Sequence, residues 1–250
     1  FWDRFRHAWA ERCGTPAVAP DLLGCGSTRT SLRRLTPHAW AEALLPQLLN
    51  LNQPAVVVVQ GGSLPIALEL LKLAPQSCRA LVMVGPPGWR VMGEAANPWL
   101  QKLLWWGLFQ GLTGLLFWRW ARREAFLRSF SIKELFANAE GVDQPWLDQL
   151  RQDSADASTR WAVFAFLAGF WRADYHLELR SLQLPVLALV GESASGISRS
   201  GRRDSSAQKL ADYGVAINGL SARVIPGRNV LPYESSAACV AAIAEWIRTI

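Results

Sequence analysis

The chain has 250 residues, half of them apolar and only 18% charged, enough to bury a sizeable core in one or two domains. That balance excludes a disordered chain, and nineteen Gly with fourteen Pro in no period exclude a collagen-like fibre. The net charge is +6, carried by 22 Arg and 4 Lys. The basic residues fall in short clusters (Arg33-Arg34, Arg119 to Arg123, Arg199 to Arg203) with no nucleic-acid motif beside them, so they read as solvated surface and no nucleic acid is expected as a partner. The four cysteines, at 13, 25, 78 and 239, have neither disulfide-scaffold nor zinc-ligand spacing, and they read as reduced, small apolar residues. A cytoplasmic protein without metal or cofactor is the expectation.

The chain opens in an amphipathic pattern, Phe1 to Arg12, which predicts a helix ended by Cys13-Gly14-Thr15-Pro16. No signal-peptide pattern is visible. Ala17-Val18-Ala19 predicts a short strand, followed by the Gly-rich turn Gly24-Cys25-Gly26-Ser27. Thr36 and Pro37 start a helix that reaches Asn50. Ala55 to Val59 is a β-branched apolar run and predicts a strand buried on both faces. Gln60-Gly61-Gly62-Ser63 turns sharply into a helix from Leu64 to Leu73, and Arg79 to Val84 is a second buried strand. From about 95 to 171 the pattern is helical only and rich in Trp, Phe, Leu and Arg. Strands at Leu184 to Val190 and Ala222 to Pro226 follow, with helices around Ser205 to Tyr213 and Ser235 to Ile250. Strands alternating with helices predict an α/β fold with a mostly parallel sheet covered on both faces and a helical insertion.

Several blocks carry a resemblance: Asp21-Leu22-Leu23-Gly24-Cys25-Gly26-Ser27, the Val-rich strand with its Gly-rich elbow and Ile66-Ala67-Leu68-Glu69-Leu70, Leu184 to Glu192, and Ile225-Pro226-Gly227. In this order they resemble the α/β-hydrolase superfamily. Thr36-Pro37-His38-Ala39-Trp40, Gln53-Pro54 and Pro86-Pro87-Gly88-Trp89 resemble its pheophytinase-like and epoxide-hydrolase-like subgroup from photosynthetic organisms. The resemblance implies a hydrolase core in two parts, residues 1–94 and 172–250, with a helical cap at 95–171. It also implies that the natural protein begins upstream of Phe1, because the family's oxyanion loop and its strand precede the opening helix.

The family's catalytic residues do not carry over. Its elbow reads G-x-S-x-G-G, and the ungapped match puts Gly61 in the nucleophile slot, with Gly62 offering a backbone N–H to an oxyanion. A gapped match instead makes Ser63 the nucleophile. The acid slot falls on Ala194, with Glu192 and Asp204 nearby, and the base slot falls on Val230. The three histidines, His7, His38 and His176, lie on elements the family keeps away from its site. Two functions follow: a fold that has lost its Ser–His–Asp relay and binds a small hydrophobic ligand or a partner, or an atypical serine hydrolase of apolar carboxylic esters. The ligand pocket is expected at Trp89, Trp105 and Trp106, and the Trp- and Arg-rich stretch 99–123 suggests peripheral membrane contact.

Overall fold

The apolar β-branched runs form the centre of the molecule. The computed structural model describes residues 1–196 and 204–250, so the whole Arg199 to Arg203 cluster lies outside the described residues. Helix α1 (Asp3–Cys13) ends at Gly14 in the left-handed conformation (φ +63°). Helix α2 (Pro37–Leu49) starts as predicted: the Thr36 hydroxyl accepts from the Ala39 N–H at 3.3 Å, and Pro37 needs no donor in the first turn. Strand β1 (Ala55–Gln60) leads through a tight 3-10 turn, Gly61–Ser63, into α3 (Leu64–Leu73) and then β2 (Cys78–Val84).

Helices alone follow, as the sequence predicts. They are α4 (Trp89–Met92), α5 (Pro98–Lys102) continued by a π-helical stretch Leu103–Phe109, α6 (Gly111–Ala121), α7 (Glu124–Phe130), α8 (Gln144–Asp153), α9 (Arg160–Leu167) and α10 (His176–Arg180). The chain then completes β3 (Val186–Gly191), α11 (Ser206–Ala216), β4 (Ser221–Ile225), α12 (Leu231–Glu234) and α13 (Ser236–Ile247).

The four strands are parallel in the order β1-β2-β3-β4. Alternate residues of β2 and β3 feed opposite cores. Leu81, Met83, Val186 and Ala188 join a core with α2, α3 and α9, whereas Ala80, Val82, Val84, Leu187 and Leu189 join one with α1 and α13. Phe164 of α9 is fully buried in the first core against Phe109, Phe117, Trp118 and Trp161.

Two expectations are corrected. Residues 17–19 form no strand, and Val18 is 72% exposed, because no described strand lies beside them to take up their backbone bonds. β1 is half-buried along its whole length rather than buried on both faces, because among the described residues it pairs only with β2. Among the described residues no helix is long and apolar enough to cross a membrane.

A polar clasp joins three distant segments. Asp143, which caps α8, accepts from the Tyr233 hydroxyl at 2.7 Å and the Trp146 N–H at 2.9 Å, and it pairs with Arg4, whose guanidinium lies over the Tyr233 ring. Partial burial would raise the Asp143 carboxyl, but these bonds outweigh it and hold the group below its usual range. A depressed carboxyl contributes stability above its ordinary pKa and loses that contribution as pH falls. The clasp is partly solvated, so Asp143→Asn should cost about 1 kcal/mol at neutral pH. In urea melts the cost should shrink below about pH 4; a cost unchanged at low pH would contradict the clasp.

Candidate functional site

In a parallel sheet with helices on both faces, ligands meet the chain beyond the carboxyl ends of the strands. Here four loops converge there, after Gln60, Val84, Gly191 and Ile225. The Gln60 amide donates to the Asn229 carbonyl, joining the elbow to the last loop. The loop after β3 is tied to the same segment. Ser193 N–H donates to Gly227 O at 3.0 Å, Arg228 donates twice to the Ser195 hydroxyl at 2.8 and 3.1 Å, and Asn229 Nδ2 donates to Ser195 O at 2.9 Å. Gly191 packs so tightly on the last loop that a Cβ there would fall 2.4 Å from the Gly227 oxygen.

At the elbow Gly61 has φ +53°, the left-handed region that side chains avoid. The position is not crowded: an added Cβ would meet only the Gly85 carbonyl, at 3.8 Å. Gly62 follows beneath the Phe166 ring of α9, whose edge atoms lie 2.5 Å from where a Cβ would stand. Ser63 has right-handed helical backbone and precedes α3, and its hydroxyl makes no capping bond. The apex with positive φ is therefore Gly61, and Ser63 lies two residues further on.

The two positions expected for the acid and the base carry no ionisable group. Ala194 is half-buried in a turn closed by its N–H on Gly191 O at 3.0 Å. Exposed Glu192 is beside it in sequence, while the Asp204 carboxylate reaches Gly88 in the loop after β2. Val230 is buried among Phe136, Val142, Trp146, Leu147 and Tyr233.

Each histidine is engaged elsewhere. His7 pairs with Glu11 at 3.2 Å, and His38 with Glu69 at 3.2 Å and Glu42 at 3.5 Å. His176 approaches the Trp89 carbonyl at 3.0 Å and stacks flat on the Trp89 ring. Nor do the Cys25 and Cys239 thiols offer a ready nucleophile. Burial, with Asp21 and Asp153 adding to it, pushes the Cys25 thiol up to about 11, and burial pushes Cys239 up to about 12. Among the described residues no group of three or more His, Cys, Asp or Glu is placed to hold a metal ion.

The expected pocket residues do not come together. Trp89 sits between His176 and Tyr213, Trp105 is buried against Trp161 and Phe170, and Trp106 is 70% exposed. Adjacent residues on a helix project in different directions, and here Trp105 turns inward while Trp106 turns to the surface. Sequence reasoning passed over Gln60, Ser195, Arg228, Asn229 and Phe166. The polar Gln60 at the end of an apolar strand, and the Arg-Asn pair before Val230, were visible signals. Phe166 gave none, because its contact with Gly62 spans the chain.

A parallel sheet with a strand–turn–helix elbow and converging carboxyl-end loops defines an α/β-hydrolase-type protein. The family model of the alpha/beta hydrolase family matches residues 1–242, and the chain belongs to that family. A comparison with curated proteins found no match. Solved structures show the same fold at low identity. A thermophilic esterase from Thermogutta terrifontis is 22% identical, with TM-score 0.71, covering 98% of this chain and 85% of its own. A bromoperoxidase from Bacillus anthracis is 16% identical, with TM-score 0.72, covering 99% and 86%. The epoxide hydrolase CorEH is 14% identical, with TM-score 0.72, covering 99% and 86%.

The positive φ at Gly61 has a measurable consequence. Gly61→Ala should cost about 1–2 kcal/mol despite the open space, because any Cβ is strained in that conformation. Ser63→Ala should change stability by no more than about 0.5 kcal/mol. Urea unfolding of both variants checks this, and a neutral Gly61→Ala would mean that the elbow is not held in the left-handed region.

Proposed function

We propose that this member of the α/β-hydrolase family has lost the Ser–His–Asp relay and works by binding a hydrophobic ligand or partner. The observation that carries this reading is the elbow apex: Gly61 occupies the strained position, and a glycine has no atom with which to attack a carbonyl. The other two slots support it, since Ala194 can orient no base and Val230 can take no proton. The helical residues 95–171 act as the cap on this reading, with Phe166 resting on the elbow where a ligand would enter. An apolar ligand suits both the aromatic lining of that segment and the resemblance to the pheophytinase-like subgroup, and the protein works inside the cell.

The alternative is an atypical hydrolase of apolar carboxylic esters. It is favoured by the Ser63 hydroxyl, which no capping bond engages at the start of α3. A long-chain p-nitrophenyl ester separates the two readings. Binding without turnover predicts saturable quenching of tryptophan fluorescence with nitrophenol release at the buffer rate. Release above that rate, abolished by Ser63→Ala, would replace the binding reading with the hydrolase. Absence of any quenching would refute ligand binding.

A further inference from the structure

The helical residues between β2 and β3 contain a hairpin. Its first arm is α5 with the π-helical stretch, its second arm is α6, and Gln110-Gly111 makes the turn, with Gly111 at φ +77°. The arms touch closely at Gly114, where a Cβ would fall 2.1 Å from the Phe109 carbonyl oxygen. Both arms turn aromatic rings towards α9: Trp105 packs against Trp161, and Phe109, Phe117 and Trp118 pack against Phe164. The opposite faces carry Trp99, Leu103 and Trp106 on the first arm and Leu112, Leu116 and Trp120 on the second, all exposed.

The charge of this segment bears on what kind of surface complements the face. From residue 95 to residue 123 the chain has no Asp or Glu. Lys102, Arg119 and Arg123 are exposed among the Trp and Leu residues, and none of them makes an ion pair with a described residue. Unpaired cations beside exposed apolar side chains, with no acid among them, complement a surface that is apolar below and anionic at its rim. Tryptophan also favours the headgroup level of a bilayer. No described helix is long and apolar enough to span.

We propose that the hairpin seats the protein on an anionic lipid surface, lying in the interface rather than crossing it. The Trp and Leu side chains enter the acyl boundary, and Lys102, Arg119 and Arg123 meet the headgroup charges. The proposal holds whether or not the elbow retains chemistry, because none of these residues belongs to the converging loops.

Sedimentation of the full chain with vesicles tests it, comparing phosphatidylcholine alone with an equimolar mixture of phosphatidylcholine and phosphatidylglycerol. The protein should pellet with the mixture and much less with phosphatidylcholine. Each of Lys102→Gln, Arg119→Gln and Arg123→Gln should weaken binding to the mixture about fivefold. Trp106→Ser combined with Leu112→Ser should reduce binding to both vesicles, with an unchanged circular dichroism spectrum because both side chains are exposed. Failure to pellet with the anionic vesicles, or binding indifferent to these substitutions, would overturn the proposal. A dimer in buffer that the Trp106→Ser, Leu112→Ser pair splits would assign the face to a second copy of the chain and also overturn it.

Discussion

The structure depends on the side-by-side burial of β2 and β3. Their residues from Leu81 to Val84 and from Val186 to Val190 are almost wholly removed from water. Two strands can be so buried only if helices cover both faces, and parallel pairing demands a crossover between them. The covering helices, α2, α3 and α9 on one face and α1 and α13 on the other, answer the first demand. The crossover need only return to the same sheet end, so it tolerates the long helical segment that lies between β2 and β3. Parallel strands also deliver their carboxyl ends to one place, which is why the loops carrying Gly61, Ala194 and Val230 meet.

Those loops carry Gly61, Ala194 and Val230, none of which has a side chain that can attack a carbonyl or take up a proton. Gly61 at the elbow has a positive φ, and the space beside it is open. The loop after β3 is tied to the last loop by Arg228 and Asn229, bonds that rigidify the site without supplying a base or an acid. Val230 faces Phe136 and Trp146 in an apolar cluster, an environment that would penalise a charged imidazole. A fold positions side chains, and what happens there depends on which side chains they are. The proposed binding role follows from that separation.

Much of this was legible in the sequence, for identifiable reasons. Local signals carried the elements: Thr36-Pro37 marked the start of α2, and the β-branched run at Ala55 marked β1. The order of apolar runs and helical patterns carried the sheet and its insertion. What failed depended on neighbours. Ala17-Val18-Ala19 has strand composition but no partner beside it, and β1 has the composition of a central strand but a partner on one side only. The three pocket candidates lie apart for a different reason. Trp105 and Trp106 are neighbours on one helical stretch and so project in different directions, Trp105 inward and Trp106 outward. At the elbow, the two candidate matches differed by a two-residue gap that sequence alone left open, and the backbone conformation distinguishes the positions: positive φ at Gly61, helical backbone at Ser63.

The central claim is that the elbow holds no activated nucleophile. Reaction with a fluorophosphonate probe tests it most directly, because the probe bonds covalently to serines whose oxygen is activated and ignores ordinary hydroxyls. The folded chain and its Ser63→Ala variant should both remain unlabelled. Labelling of the chain that Ser63→Ala abolishes would contradict the account and place an active nucleophile at Ser63.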